Sequence, residues 1–142
     1  MKRKIVSFIL ALGMLTSFSS ATYSQTARAS DYLLGYGVSI EAVGDGLMEV
    51  FYEVDGKGMM SQIGALTIYI EQKIDGAWVS YDTLLAARNP DFLVDDDLGH
   101  AGLTYFDGTP GVEYRVTLEA FAMGYDGGSD TGTVTSKGEV CR

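Results

Sequence analysis

The chain has 142 residues and a formal net charge of −9 at neutral pH, and 46% of its residues are hydrophobic. That length suits a single domain. An acidic surface repels nucleic acid and anionic membranes, so we expect neither as a partner. With one histidine and one cysteine, the chain lacks the ligands of a structural zinc site and cannot form an internal disulfide. Its fold therefore has to rest on a hydrophobic core.

The N-terminus has the pattern of a secretory signal peptide. Residues 2–4 are basic, an apolar run covers residues 5–15, and Ala27-Arg28-Ala29 is a small-residue cleavage pattern followed by Ser30. The apolar run is shorter than the ~20 residues of a spanning helix, so no permanent membrane anchor is expected. We predict a signal peptide over residues 1–29 and a secreted, extracellular protein. The rest of the chain carries six basic and nineteen acidic residues, a net charge of −13.

Short segments with alternating apolar and polar residues follow a lead-in over residues 30–37. Alternation with a period of two indicates β-strands, and turns rich in glycine and aspartate separate the segments. Asp75-Gly76 between two such segments is the strongest hairpin signal, because both residues tolerate a positive φ. One domain over residues 38–140 is predicted. Its predicted strands cover residues 38–43, 48–54, 65–73, 77–83, 100–106, 113–122 and 131–137.

Two stretches between these strands interrupt the alternation. The sequence Asp-Gly-Lys-Gly at residues 55–58 predicts a turn. Residues 59–64 are then predicted to form a compact apolar connection, with one helical turn as an option. Residues 84–99 contain Arg-Asn-Pro-Asp and three consecutive aspartates, and they predict a long surface crossing, with a short irregular strand within it as an option.

The clearest strand signal lies in residues 113–122. Tyr114, Ala122 and the apolar residues between them occupy every second position, and mostly polar residues occupy the others. About seven short strands, with no helical period after the signal peptide, are typical of an all-β fold. We predict an antiparallel Greek-key β-sandwich.

The segment from Thr109 to Ala120 resembles the sixth strand of fibronectin type III and related immunoglobulin-like domains. This resemblance implies that Tyr114 forms a tyrosine corner, with its hydroxyl bonded to upstream backbone. The leucine usual six residues earlier is Gly108 here, so Tyr105 or Phe106 is expected to supply the packing. The tryptophan that those domains bury on the second strand is absent.

Most of the chain is also similar to a family of small secreted proteins of Gram-positive bacteria. The similarity rests on the signal peptide, on residues 60–65 and 73–78, on the strand that ends at Ala122, and on the threonine-rich segment near the end. It implies the β-sandwich fold and secretion, and it implies nothing about activity.

Calcium is the one cofactor that the acidic residues suggest. Asp95, Asp96 and Asp97, with Asn89 and Asp91 nearby, offer the oxygen ligands that calcium prefers. Their spacing does not fit an EF-hand loop, and adjacent residues of a strand point to opposite faces. The alternative interpretation is a solvated acidic segment without a metal.

Aromatic residues on nominally polar strand faces suggest a binding surface. Tyr69 and Phe121 fall on such faces, and Trp78 follows the Asp75-Gly76 hairpin. If these three lie on one sheet face, they form a platform for a peptide or a carbohydrate. The alternative is that a loop or a neighbouring strand covers them, as is common in β-sandwich cores.

No catalytic constellation is evident. His100 is interpreted as an ordinary strand residue and not as the base of a Ser-His-Asp triad, because none of the serines lies in a nucleophile-elbow sequence. Cys141 is expected to be a frayed tail thiol, with a disulfide-linked dimer as the alternative to a monomer. We therefore predict a non-enzymatic interaction module at or near the cell surface, with an unidentified protein or carbohydrate partner. The alternative is a calcium- or carbohydrate-binding module.

Overall fold

Seven β-strands account for most of the computed structural model, which describes residues 30–142. Two single-turn 3₁₀ helices, Ala86–Arg88 and Pro90–Phe92, lie between the third and fourth strands. The predicted signal peptide lies outside the described residues. The strands are β1 (Leu33–Gly44), β2 (Leu47–Ile74), β3 (Ala77–Leu85), β4 (Leu93–Asp107), β5 (Glu113–Met123), β6 (Ser129–Thr135) and β7 (Glu139–Val140).

All strand pairs are antiparallel, and β2 is at the centre of the sheet. Along one edge β2 pairs first with β4 and then with β3, and along the other edge it pairs with β1 and then with β5. Strand β5 in turn pairs with β6 and β7. The sheet curls like a half-barrel around one core. The all-β, antiparallel prediction is confirmed.

The predicted turn at residues 55–58 and the connection at residues 59–64 are both wrong, because β2 runs unbroken through them. A Cβ on Gly56 would lie only 2.8 Å from Cγ of Met60 and 3.1 Å from Cδ1 of Ile63. The glycine therefore makes room for the side chains of Met60 and Ile63. The first strand also begins earlier than predicted, at Leu33, so most of the expected lead-in is strand.

The core lies on the concave side of the sheet. The alternation predicted for β5 is confirmed, since every second side chain from Tyr114 to Ala122 is completely buried. Strand β2 supplies the largest share of the core, and its buried hydrophobic residues are Met48, Val50, Tyr52, Val54, Met60, Ile63, Ala65, Ile68 and Ile70.

The hydroxyl of Tyr114 is bonded to the backbone of the turn that precedes β5. It accepts a hydrogen bond of 2.8 Å from the backbone N–H of Thr109, so the predicted bond to upstream backbone is confirmed. The ring packs edge-on against Phe106, with centroids 5.3 Å apart, and lies against the space that a Cβ on Gly108 would fill. Phe106 thus supplies the packing that Gly108 cannot.

The expectation of a frayed C-terminal thiol is wrong. Cys141 is 1% exposed, and its backbone N–H donates to the carbonyl of Val112 at 2.9 Å. Its own carbonyl accepts from the N–H of Gly111 at 2.9 Å. These bonds extend the short pairing of β7 with β5 and hold the thiol inside the core. A disulfide with a second chain would require that these residues first unpack.

A cluster of polar contacts anchors the start of β1. Oδ2 of Asp130 accepts hydrogen bonds from the Ser30 hydroxyl at 2.7 Å and from the Asp31 backbone N–H at 2.8 Å. The bond from Ser30 is the main reason that the pKa of Asp130 lies below its usual value. The hydroxyl of Tyr32 donates to Asp126, and Lys57 donates to the Ser30 carbonyl. Residues 30–32 are therefore tied to β2, to β6 and to the loop between β5 and β6.

The Tyr114 hydrogen bond is testable by substitution. We expect Tyr114→Phe to lower the free energy of unfolding by about 1–2 kcal/mol, because the Thr109 N–H loses its acceptor. Chemical denaturation measures this loss. Tyr105→Phe is the matched control, because its exposed hydroxyl only meets Glu49 and its removal should cost little. Equal stabilities of wild type and Tyr114→Phe would contradict the role of this bond.

Candidate functional site

The convex side of β3, β2, β5 and β6 carries all three aromatic residues predicted to bind a ligand. Cross-strand pairing places Tyr69 between Thr83 and Thr117. We call this surface the threonine–aromatic face. Its residues are Trp78, Thr83 and Leu85 on β3, Thr67, Tyr69, Glu71 and Lys73 on β2, Arg115, Thr117, Glu119 and Phe121 on β5, and Thr131, Thr133 and Thr135 on β6.

Trp78 lies at one end of this face in a cluster of four charged residues. The Arg115 guanidinium lies 4.5 Å from the indole ring centre, and the Lys73 ammonium lies 5.4 Å from it. Arg115 bonds Glu71 at 2.7 Å, and Lys73 pairs with Glu113 at 3.5 Å. The cluster is electrically balanced, and it leaves the indole half-buried under the stacked guanidinium.

Tyr69 lies in the middle of the face among hydroxyl groups. It is 42% exposed, and its own hydroxyl reaches Glu119 at 3.4 Å. On the neighbouring strands the hydroxyls of Thr117 and Thr135 bond each other at 2.8 Å. A ligand on this part of the face would meet one open aromatic ring with hydroxyl groups on both sides.

Phe121 lies toward the other end of the face, opposite Gly64 of β2 and Thr131 of β6. Phe121 lies six positions after Arg115 on β5, which at ~3.3 Å per residue is a distance of roughly 20 Å. The three predicted residues therefore share one face without touching. A ligand that contacts both Trp78 and Phe121 has to be long and extended.

The three aspartates predicted to bind calcium have separate partners. Asp95 accepts from the Gln62 side chain at 3.2 Å, and Asp96 accepts from the Tyr125 hydroxyl at 2.6 Å. Asp97 accepts from the N–H of Leu98 at 2.7 Å. Within residues 30–142, no group of three or more His, Cys, Asp or Glu side chains is placed to hold a metal ion. The calcium hypothesis gains no support from this geometry.

A cavity of about 400 Å³ lies on the concave side, between β4 and the segment 86–92. At its base, Nε2 of His100 is 2.6 Å from the carbonyl oxygen of Asp91 and 3.3 Å from the hydroxyl of Tyr52. Burial, with a smaller contribution from the charge of Asp91, raises the pKa of Tyr52 to about 12. The lining residues include Tyr52, Arg88, Asn89, Asp91, His100 and Thr104.

This cavity was missed by the sequence analysis, which assigned His100 to an ordinary strand and residues 84–99 to a surface crossing. The only local signals are the single histidine and the Arg-Asn-Pro-Asp sequence. The cavity depends on long-range pairing, because β2 places Tyr52 opposite Gly102 of β4. The alternation of apolar and polar residues does not predict which strands pair, so this contact could not be predicted from the sequence.

Gly102 forms part of the cavity floor, and its lack of a side chain is required there. A Cβ at this position would lie 2.3 Å from the Tyr52 hydroxyl oxygen. We expect Gly102→Ala to cost about 1–3 kcal/mol in unfolding free energy, because the Tyr52 ring has to move. Gly35→Ala, where an added Cβ meets nothing within 4 Å, is the matched control in the same denaturation experiment. Equal losses in both variants would contradict this packing.

The raised pKa of Tyr52 predicts an alkaline titration that is absent from Tyr52→Phe. The difference in tyrosinate absorbance between the two proteins should have a midpoint near pH 12. Because the folded protein holds this proton more tightly than the unfolded chain, Tyr52 should also make stability fall as the pH rises from about 10 to about 12. A midpoint near 10 would show that the hydroxyl reaches water.

None of the helices in residues 30–142 is long and apolar enough to span a membrane. A comparison of the sequence with protein-family models finds no family that matches, and a comparison with curated proteins finds no match either.

Proposed function

We propose that this protein is a secreted, non-enzymatic binding module that acts at or near the cell surface and holds its partner on the threonine–aromatic face. The observation that carries the proposal is the placement of Trp78, Tyr69 and Phe121 on one convex sheet face. Secretion is supported by the signal-peptide pattern of residues 1–29.

The proposed partner is an extended chain. The aromatic residues are spread over roughly 20 Å, a length that suits a peptide segment or an oligosaccharide better than a small compact ligand. Tyr69 offers an open ring between threonine hydroxyls, so a partner needs apolar surface for the ring and polar groups for the hydroxyls. A protein partner is the first candidate.

Carbohydrate is the second candidate, and the surroundings of Tyr69 favour it specifically. Sugar rings have an apolar face that can stack on an aromatic side chain, and their hydroxyls can both donate to and accept from Thr83 and Thr117. The Glu119 carboxylate, 3.4 Å from the Tyr69 hydroxyl, adds a further acceptor.

The non-enzymatic part of the proposal is supported by the surroundings of His100 and Cys141. The imidazole of His100 contacts a backbone carbonyl and a tyrosine hydroxyl, and Cys141 is buried on the C-terminal strand extension. A Cys–His or Ser–His mechanism needs a nucleophile within hydrogen-bond reach of the base.

The finer classification of the fold is also a proposal. We assign the half-barrel to the immunoglobulin-like Greek-key sandwiches, as a variant in which β2 belongs to both layers. The assignment is supported by the bond between the Tyr114 hydroxyl and upstream backbone.

The threonine–aromatic face can be tested with residues 30–142 immobilised against culture supernatant and against a glycan array. We expect Tyr69→Ala and Trp78→Ala each to weaken binding of the main captured partner by about tenfold or more, as for aromatic hot spots.

Tyr105→Ala is the matched control, because Tyr105 is also half-exposed but lies on β4, outside this face. A partner whose affinity falls only in the Tyr69 and Trp78 variants supports the proposal. Affinity that is unchanged by Tyr69→Ala, Trp78→Ala and Phe121→Ala would refute it.

A further inference from the structure

The concave cavity is a second candidate binding site, separate from the threonine–aromatic face. Strands β3 and β4 both pair with β2, and the chain between them leaves the sheet edge over residues 86–92. Phe92 packs edge-on against Tyr52, with ring centroids 5.5 Å apart, and so holds this segment over the sheet. The cavity is partly open to solvent, and its volume of about 400 Å³ lies within the range of small-molecule sites.

Arg88 contributes one positive charge to the cavity, which also contains the negative charge of Asp91. Residues 30–142 contain six basic side chains, of which Lys73, Arg115 and Arg142 are in ion pairs and Lys57 donates to a backbone carbonyl. Arg88 lines the cavity and makes no ion pair within this part of the chain. Its guanidinium is therefore available for a bidentate bond to a carboxylate or phosphate.

The other polar groups of the cavity are mainly acceptors. The Asn89 side-chain nitrogen donates to the carbonyl of Leu85 at 2.9 Å, which leaves the Asn89 amide oxygen to accept. The Asp91 carboxylate has no hydrogen-bond partner within residues 30–142, and its charge acts on the nearby Tyr52 hydroxyl. Thr104 adds a hydroxyl. A matching ligand has one anionic group and several hydroxyl donors.

We propose that this cavity binds a sugar that carries a carboxylate. The carboxylate pairs with Arg88, and the sugar hydroxyls donate to Asn89 and Asp91. A single negative charge fits better than the double charge of a phosphate, because Asp91 places a second anion beside the same small volume. The site is independent of the threonine–aromatic face, so either proposal can fail while the other stands.

The test is titration of residues 30–142 with glucuronate and with glucose, followed by calorimetry and by amide chemical shifts. We expect glucuronate to bind about tenfold or more tightly than glucose and to shift the amides of Gly102 and Thr104. Arg88→Gln should remove that preference by weakening glucuronate binding about tenfold or more, the loss expected for a charge-assisted bond.

Lys137→Gln is the matched control, because it removes one exposed positive charge outside the cavity and should leave glucuronate binding unchanged. Equal melting temperatures would show that Arg88→Gln leaves the fold intact. The proposal is overturned if neither sugar binds, if glucose binds as tightly as glucuronate, or if Arg88→Gln changes nothing. Acetate binding as tightly as glucuronate would also overturn it, since the cavity would then hold an adventitious ion only.

Discussion

The structure depends on one 28-residue strand that changes which of its side chains face the core. The buried hydrophobic residues of β2 are even-numbered from Met48 to Val54 and at Met60, then they are Ile63 and Ala65, and then Ile68 and Ile70. Each change follows an irregularity in pairing. Between Asp55 and Met60, β2 has three more residues than the segment of β4 with which it pairs. Between Ala65 and Thr67, it has one more residue than the paired segment of β5. Such extra residues bend a strand and reverse its faces, so β2 can curve around a single core.

The same curvature creates two surfaces of opposite character. On the convex side, the pairing of β2 with β3 and β5, and of β5 with β6, brings threonines from three other strands to the side of Tyr69. On the concave side, β4 and the segment 86–92 leave a cavity that the core does not fill. Tyr52 belongs to both the core and the cavity, because its ring is buried while its hydroxyl reaches His100.

Local patterns predicted those parts of the molecule that depend on local geometry. The alternation of β5, the hairpin at Asp75-Gly76 and the bond of the Tyr114 hydroxyl follow from short-range rules, and all three are present. The glycines at residues 55–58 also carried a strong local turn signal, but pairing with β1 and packing of Met60 over Gly56 overrode it. Short-range rules could not predict the burial of Cys141 or the cavity, because each is formed by segments that are far apart in the chain.

A strand shared by both halves of the sheet has a consequence for the rate of folding. The neighbours of β2 on its far half include β5, whose paired residues lie about fifty positions further along the chain, as between Ile68 and Leu118. Closing loops of that length is slow, so we expect folding in the slow range of β-rich domains. Until β4 and β5 have paired with β2, parts of both edges of β2 are unpaired and its apolar side chains are exposed. The interval before closure, rather than the native state, is therefore when this chain is most prone to aggregate.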